Sequence, residues 1–146
     1  KKLSKSLIVG IDINKKNIEF AREKQKKSNL ENLIFIDGNI NDQSELVSDV
    51  VILSNVLEHI GDRVLFLKNV QKISGANTFL IRVPYFNRDW QIPFRKKLGI
   101  NYFSDNDHKI EHTIEELKEE LKEVNLSMKE TISIWGEIWT KCEYEI

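Results

Sequence analysis

Cysteine occurs once in the 146 residues, as Cys142, so no internal disulfide can form and a zinc knuckle is excluded. No apolar run approaches the ~20 residues of a membrane span. The amino end is polar from Lys1 and lacks the charged-then-apolar order of a secretory signal. These absences lead us to expect a cytoplasmic location. Lys1-Lys2 without an initiator methionine reads as a start partway into a longer protein. Charge of either sign is not in excess: 22 basic residues face 23 acidic ones, for a net charge of −1. That balance gives no electrostatic reason for a polyanion partner, and nucleic acid is not indicated. Lys24, Lys26 and Lys27 read as the solvated end of a helix, complementing its dipole.

Three short segments are more informative: IVGIDIN ending at Asn14, IFIDGNIND over 34–42 and DVVILSNVLEH over 49–59. Each is an apolar, β-branched run that stops abruptly in polar residues, as a buried parallel strand does where its carboxyl end opens onto a ligand crevice. The gaps between them are helix-length. We therefore expect strands at 7–12, 33–37, 49–54 and 78–83, with helices over 15–27 and from Asp62 to Ser74. Asn14 and Asp62 are the helix caps and Gly75 is a stop. Residues 113–116, Thr-Ile-Glu-Glu, form a capping box for a further helix that buries Ile114, Leu117, Leu121 and Val124. Residues 126–134 and 137–144 read as an antiparallel hairpin around Trp135-Gly136.

Between these elements, 85–112 reads as a long loop with one short helix near 94–98, carrying Tyr85, Phe86, Trp90, Phe94, Tyr102 and Phe103. A loop of that length is usually functional, here as a lid, although ordinary aromatic anchoring would look the same. The whole of 1–146 is expected to be a single, partial domain of α/β class: a mostly parallel Rossmann-like sheet with a C-terminal antiparallel hairpin, N-terminally incomplete.

On that frame Asp12, Asn39 and Asn55 fall at one edge of one sheet, where a nucleotide-like ligand would lie. Asp12 is placed to accept both hydroxyls of a ribose, or it caps the following helix. Asn39 could pair with an adenine edge between Ile13 and Ile40, or it serves only the turn after Gly38. His59 follows the third strand, and His108 follows Asp105 and Asp107 in YFSDNDH. His59, His108 and Asp105 are the candidates for acid–base work, although an aspartate–histidine pair that merely fixes the loop is the alternative. No spacing of His, Cys, Asp and Glu forms a convincing metal-ligand set, so no metal is expected.

IVGIDIN, IFIDGNIND and DVVILSNVLEHI resemble the second, third and fourth strand motifs of the class I S-adenosylmethionine-dependent methyltransferases. The Leu57-Glu58-His59 triplet is similar to the small-molecule branch that includes ubiquinone-biosynthesis enzymes. The resemblance covers most of the chain, since TFLIRVP, the capped helix and the terminal hairpin follow in the expected order. It implies S-adenosyl-L-methionine as cofactor, with Asp12 on the ribose, Ile13 packed on adenine, Asn39 and Ile40 reading the base, and Asn55 near the methionine moiety. It implies methyl transfer to a small-molecule or glycan-like acceptor. Asparagine at 39 departs from the family's usual aspartate. The family's first strand and glycine-rich loop are also missing, because Gly10, Gly38, Gly61, Gly75, Gly99 and Gly136 are all isolated. Two other readings stay open: a nicotinamide-dependent oxidoreductase, and a non-catalytic scaffold.

Overall fold

The computed structural model describes residues 5–145. The polar start at Lys1-Lys2 lies outside the described residues. The chain divides into two compact units, Lys1–Ser44 and Glu45–Ile146.

The first unit is a strand–helix–strand: β1 (Ile8–Asp12), α1 (Lys15–Ser28) and β2 (Leu33–Asp37). Asn14 starts α1 as expected, its side chain accepting the Lys16 N–H at 3.0 Å. Asn29 ends the helix in the left-handed region, at φ 50°. β1 and β2 are parallel, with Ile8 opposite Leu33 and Asp12 opposite Asp37. α1 is pinned to β2 through polar ends rather than apolar area alone. Arg22 donates to the Phe35 carbonyl at 2.8 Å, and Gln25 donates to the Leu30 and Leu33 carbonyls at 2.9 and 2.8 Å. Gly10 is required by packing, because a Cβ there would sit 2.9 Å from the Phe35 ring.

The second unit carries β3 (Val50–Ser54), α2 (Arg63–Ser74), β4 (Thr78–Pro84), α3 (Gln91–Lys97), α4 (Ile114–Lys122), β5 (Leu126–Ile134) and β6 (Glu137–Tyr144). Its sheet has the order β3-β4-β6-β5. β3 and β4 are parallel through the α2 crossover, whereas β6 runs antiparallel to both β4 and β5. Trp135 and Gly136 both have positive φ, 53° and 77°, as the tight turn of a two-residue hairpin requires. Asp62 caps α2, accepting from the Leu65 N–H at 3.0 Å, and Gly75 ends it in the left-handed region. The capping box of α4 is complete. Leu57, Leu67, Phe79, Leu117, Leu121 and Ile138 are fully buried and form the core between the sheet and these helices.

The α/β class and the C-terminal hairpin match the sequence reading, but the strands form two hydrogen-bonded sheets instead of one. Among the described residues β1 pairs only with β2, and β3 only with β4, because no described strand bonds to the remaining edge of either. The stretch 85–112 is also more ordered than a loop. It holds a 3-10 turn at Phe86–Arg88 and α3, which begins at Gln91, ahead of the expected start, because Pro93 fits within a first helical turn. Its two ends are tied together by the Phe86 N–H, which donates to His112 O at 2.8 Å, while the Tyr85 N–H donates to Gly136 O of the hairpin turn at 2.9 Å.

Candidate functional site

In the first unit the parallel register brings the polar ends of β1 and β2 to one side. Asp12 and Asp37 are paired, and the Gly38 N–H donates to the Asp12 carbonyl at 3.1 Å. Ile13 follows Asp12 and is 77% exposed, while Asn39 and Ile40 follow Gly38. These four expected residues therefore share one end of a two-stranded sheet. The Asp12 carboxylate already serves the helix start, accepting from Asn14 N–H at 2.7 Å and from the Asn17 side-chain amide at 2.9 Å. The capping role is thus real. It does not exhaust the group, since a carboxylate offers about four acceptor positions. Asn39 likewise caps the 3-10 turn Ile40–Asp42 through its side-chain oxygen, which accepts from Asn41 N–H at 3.0 Å.

The second unit builds a denser polar cluster. Asn55 prolongs the β3–β4 ladder by one bond, its N–H donating to Arg82 O at 2.9 Å, and then turns the chain at a left-handed φ of 54°. That turn delivers the 3-10 segment Leu57–His59, with Leu57 and Glu58 fully buried and His59 exposed. The Lys109 N–H donates to the Glu58 carbonyl at 2.7 Å, which holds the His108 loop against this segment. As a result the His59 and His108 rings meet edge-to-face with centroids 4.8 Å apart.

His108 is not paired with the Asp105 side chain. Its Nδ1 lies 3.3 Å from Ser104 Oγ and 3.6 Å from Glu111 Oε1. Asp105 instead accepts the Asp107 N–H with its carboxylate and the His108 N–H with its carbonyl, the local pattern of a turn. The expected aspartate–histidine pair is therefore replaced by a glutamate–histidine pair. Glu111 is buried and also bonded to Arg88 and to the Ser104 N–H. Burial pushes its carboxyl pKa up, but the bonds from Arg88 and Ser104 outweigh that and leave it below its ordinary value.

An open cleft of about 350 Å³ is lined by Asn55, Arg88, Ser104, Asp105, His108 and Glu137, among others. Arg82 forks onto Glu137 at 2.8 and 2.5 Å and stacks over Trp139, which stiffens the sheet side of this unit. The structure thus brings Asn55, Asp105 and His108 to one cleft and sets His59 beside His108. Sequence reasoning missed Glu58 and Glu111. Each was visible as a Glu-His step, at 58–59 and 111–112, but spacing alone assigned neither a role.

A family described as "Methyltransferase domain" matches residues 1–145. The chain belongs to that family. No curated protein matches this methyltransferase domain. Among solved structures it is similar to magnesium protoporphyrin IX methyltransferase from Synechocystis PCC 6803 with bound SAH, at TM-score 0.73 and 17% identity over 95% of this chain and 64% of that one. It is similar to an O-methyltransferase from neocarzinostatin biosynthesis, in complex with S-adenosylmethionine and 2-hydroxy-5-methyl naphthoic acid, at TM-score 0.70 and 18% identity over 94% of this chain and 41% of that one. The small RNA methyltransferase HEN1 gives TM-score 0.74 and 20% identity over 94% of this chain and 20% of that one. At these identities the likeness is one of fold. The chain spans less than two thirds of the length of each of these three. Family membership decides against the nicotinamide alternative.

Proposed function

We propose that this methyltransferase domain takes part in methyl transfer from S-adenosyl-L-methionine to a small-molecule or glycan-like acceptor. The observation that carries this is the shared polar end of β1 and β2, where Asp12, Ile13, Asn39 and Ile40 stand in the order an adenosine group needs. The remaining acceptor positions of Asp12 would take the ribose hydroxyls. The exposed Ile13 would cover one face of the base, and Asn39 with Ile40 would meet its edge. Asn55 ends β3 in the other sheet, so its assignment to the methionine side rests on the resemblance alone. When bound, the cofactor supplies an electrophilic methyl group on a sulfonium.

The chain's own task is then to orient the acceptor and exclude water. The cleft of the second unit, with residues 85–112 as its wall, is the proposed acceptor side. Stacked aromatics line that stretch, with Phe86 and Tyr102 edge-on at 5.7 Å and Tyr102 against Phe103 at 4.4 Å. For an oxygen or nitrogen acceptor, His59 or His108 would accept the proton and Asp105 would bind a polar group at the cleft rim. The neocarzinostatin-pathway neighbour, which holds a naphthoic acid, supports an acceptor of small-molecule size.

Thermal melting of the complete protein tests the proposal. S-adenosylhomocysteine should raise the midpoint and a nicotinamide dinucleotide should not. No shift with S-adenosylhomocysteine would overturn it and leave the scaffold reading in its place.

A further inference from the structure

Glu58 is the most anomalous group in the second unit. Its residue is fully buried, yet neither carboxylate oxygen has a hydrogen-bond partner among the described residues. A buried carboxylate left unpaired is strongly unfavourable, so such a group requires a cation or another partner. Arg82 feels its charge but is committed to Glu137 through Nε and Nη2, and its Nη1 lies 3.5 Å from Ser54 Oγ. What Glu58 does meet is a pair of imidazoles. One ligand atom each from Glu58, His59 and His108 lie within 4.8 Å of one another.

We propose that Glu58, His59 and His108 bind one divalent transition-metal ion. Two nitrogens and a carboxylate oxygen suit zinc, manganese, iron, cobalt or nickel, and suit magnesium or calcium poorly, since those prefer oxygen throughout. Ligands around such an ion, at metal–ligand distances of about 2.0–2.2 Å, stand roughly 3–3.5 Å apart. The observed spread would close to that by rotation of His59, whose ring is exposed and rests edge-on against His108. His108 is already prepared. Its Nδ1 faces Ser104 and the buried Glu111, which leaves Nε2 for the metal in the carboxylate–histidine–metal arrangement that orients such ligands. The Lys109-to-Glu58 backbone bond holds the two loops together.

Three protein ligands leave coordination positions open, and His108 lines the acceptor cleft together with Asn55 and Asp105. An oxygen of the acceptor would occupy an open position and lose its proton more readily there. A ring nitrogen that holds the ion cannot also accept that proton, so the proton would pass to solvent water, with the ion lowering the pKa of the bound oxygen in place of a histidine base. This use of the site rests on the methyl-transfer reading; the binding itself does not.

The experiment is calorimetric titration of tag-free, metal-stripped protein with manganese and with zinc, without cofactor or acceptor, so that failure of methyl transfer leaves it intact. One equivalent should bind. Glu58→Gln and His59→Ala should each weaken binding at least about tenfold. His59 is exposed, so its variant keeps the fold even where the Glu58 variant loses stability, and melting of both metal-free variants checks this. Absence of binding at millimolar metal would overturn the proposal, as would equal affinity in the wild type and His59→Ala.

Discussion

The Lys109 N–H donates to the Glu58 carbonyl at 2.7 Å, across 50 positions of chain. Through this bond the segment after β3 and the segment before α4 become one surface, with Glu58, His59 and His108 on it. The bond is between backbone atoms, so no side-chain pattern announces it.

Asp12→Ala in the complete protein should weaken S-adenosylhomocysteine binding by about 1.5–3 kcal/mol, the scale of hydrogen bonds to a charged group. That corresponds to roughly a 10- to 150-fold rise in Kd by titration calorimetry. Unchanged affinity would remove Asp12 from the adenosine site and leave it only its bonds to Asn14 and Asn17.

Arg63 Nε and Glu120 Oε2 are 2.6 Å apart, joining α2 to α4, and His112 Nε2 lies 3.5 Å from the other Glu120 oxygen. Burial pushes the Glu120 carboxyl pKa up, but His112 and Arg63 outweigh burial and hold it below its ordinary value. A depressed carboxylate stabilises the fold above its unfolded pKa, and that contribution is lost as pH falls through the folded value. Glu120→Gln should therefore cost about 1–3 kcal/mol in urea unfolding at pH 7. The difference should shrink as the pH is lowered below about 4. A difference that is the same at acid and neutral pH would contradict the assignment.

Thr113→Ala removes the acceptor for the Glu116 N–H, at 3.1 Å, and half of the α4 capping box. The expected loss is about 0.5–2 kcal/mol of unfolding free energy. Thr113→Ser should retain most of it, because the hydroxyl is what accepts the bond.

Cys142 is fully buried on β6, 3.7 Å from Thr140 Oγ1, and burial pushes its thiol pKa up to about 11. A thiol held protonated and out of solvent is inert. An aromatic disulfide reagent should leave it unmodified in folded protein and titrate one thiol in denaturant. Rapid labelling of the folded protein would show that the β4–β6 packing opens readily.

Much of the fold was readable because it depends on local signals. β2 over 33–37, α2 ending at Ser74, the capping box and the hairpin around Trp135-Gly136 all lie where period, caps and turn chemistry put them. The methyltransferase family was readable for the same reason, since its strand motifs are contiguous segments. Helix α3 was only partly legible, because its start depends on how Pro93 is accommodated within a first turn.

The rest was a matter of distance in space. That the strands form two sheets, that Glu111 and not Asp105 stands beside His108, and that the Glu58 carboxylate is buried with no hydrogen-bond partner among the described residues all depend on contacts between residues far apart in the chain or hidden by packing. Caps, turns and hydrophobic period act over a few residues, so the chain by itself determines its elements and their family. Burial and charge pairing act through the packed interior, so the chemistry at positions 58, 59 and 108 exists only once the second unit has folded.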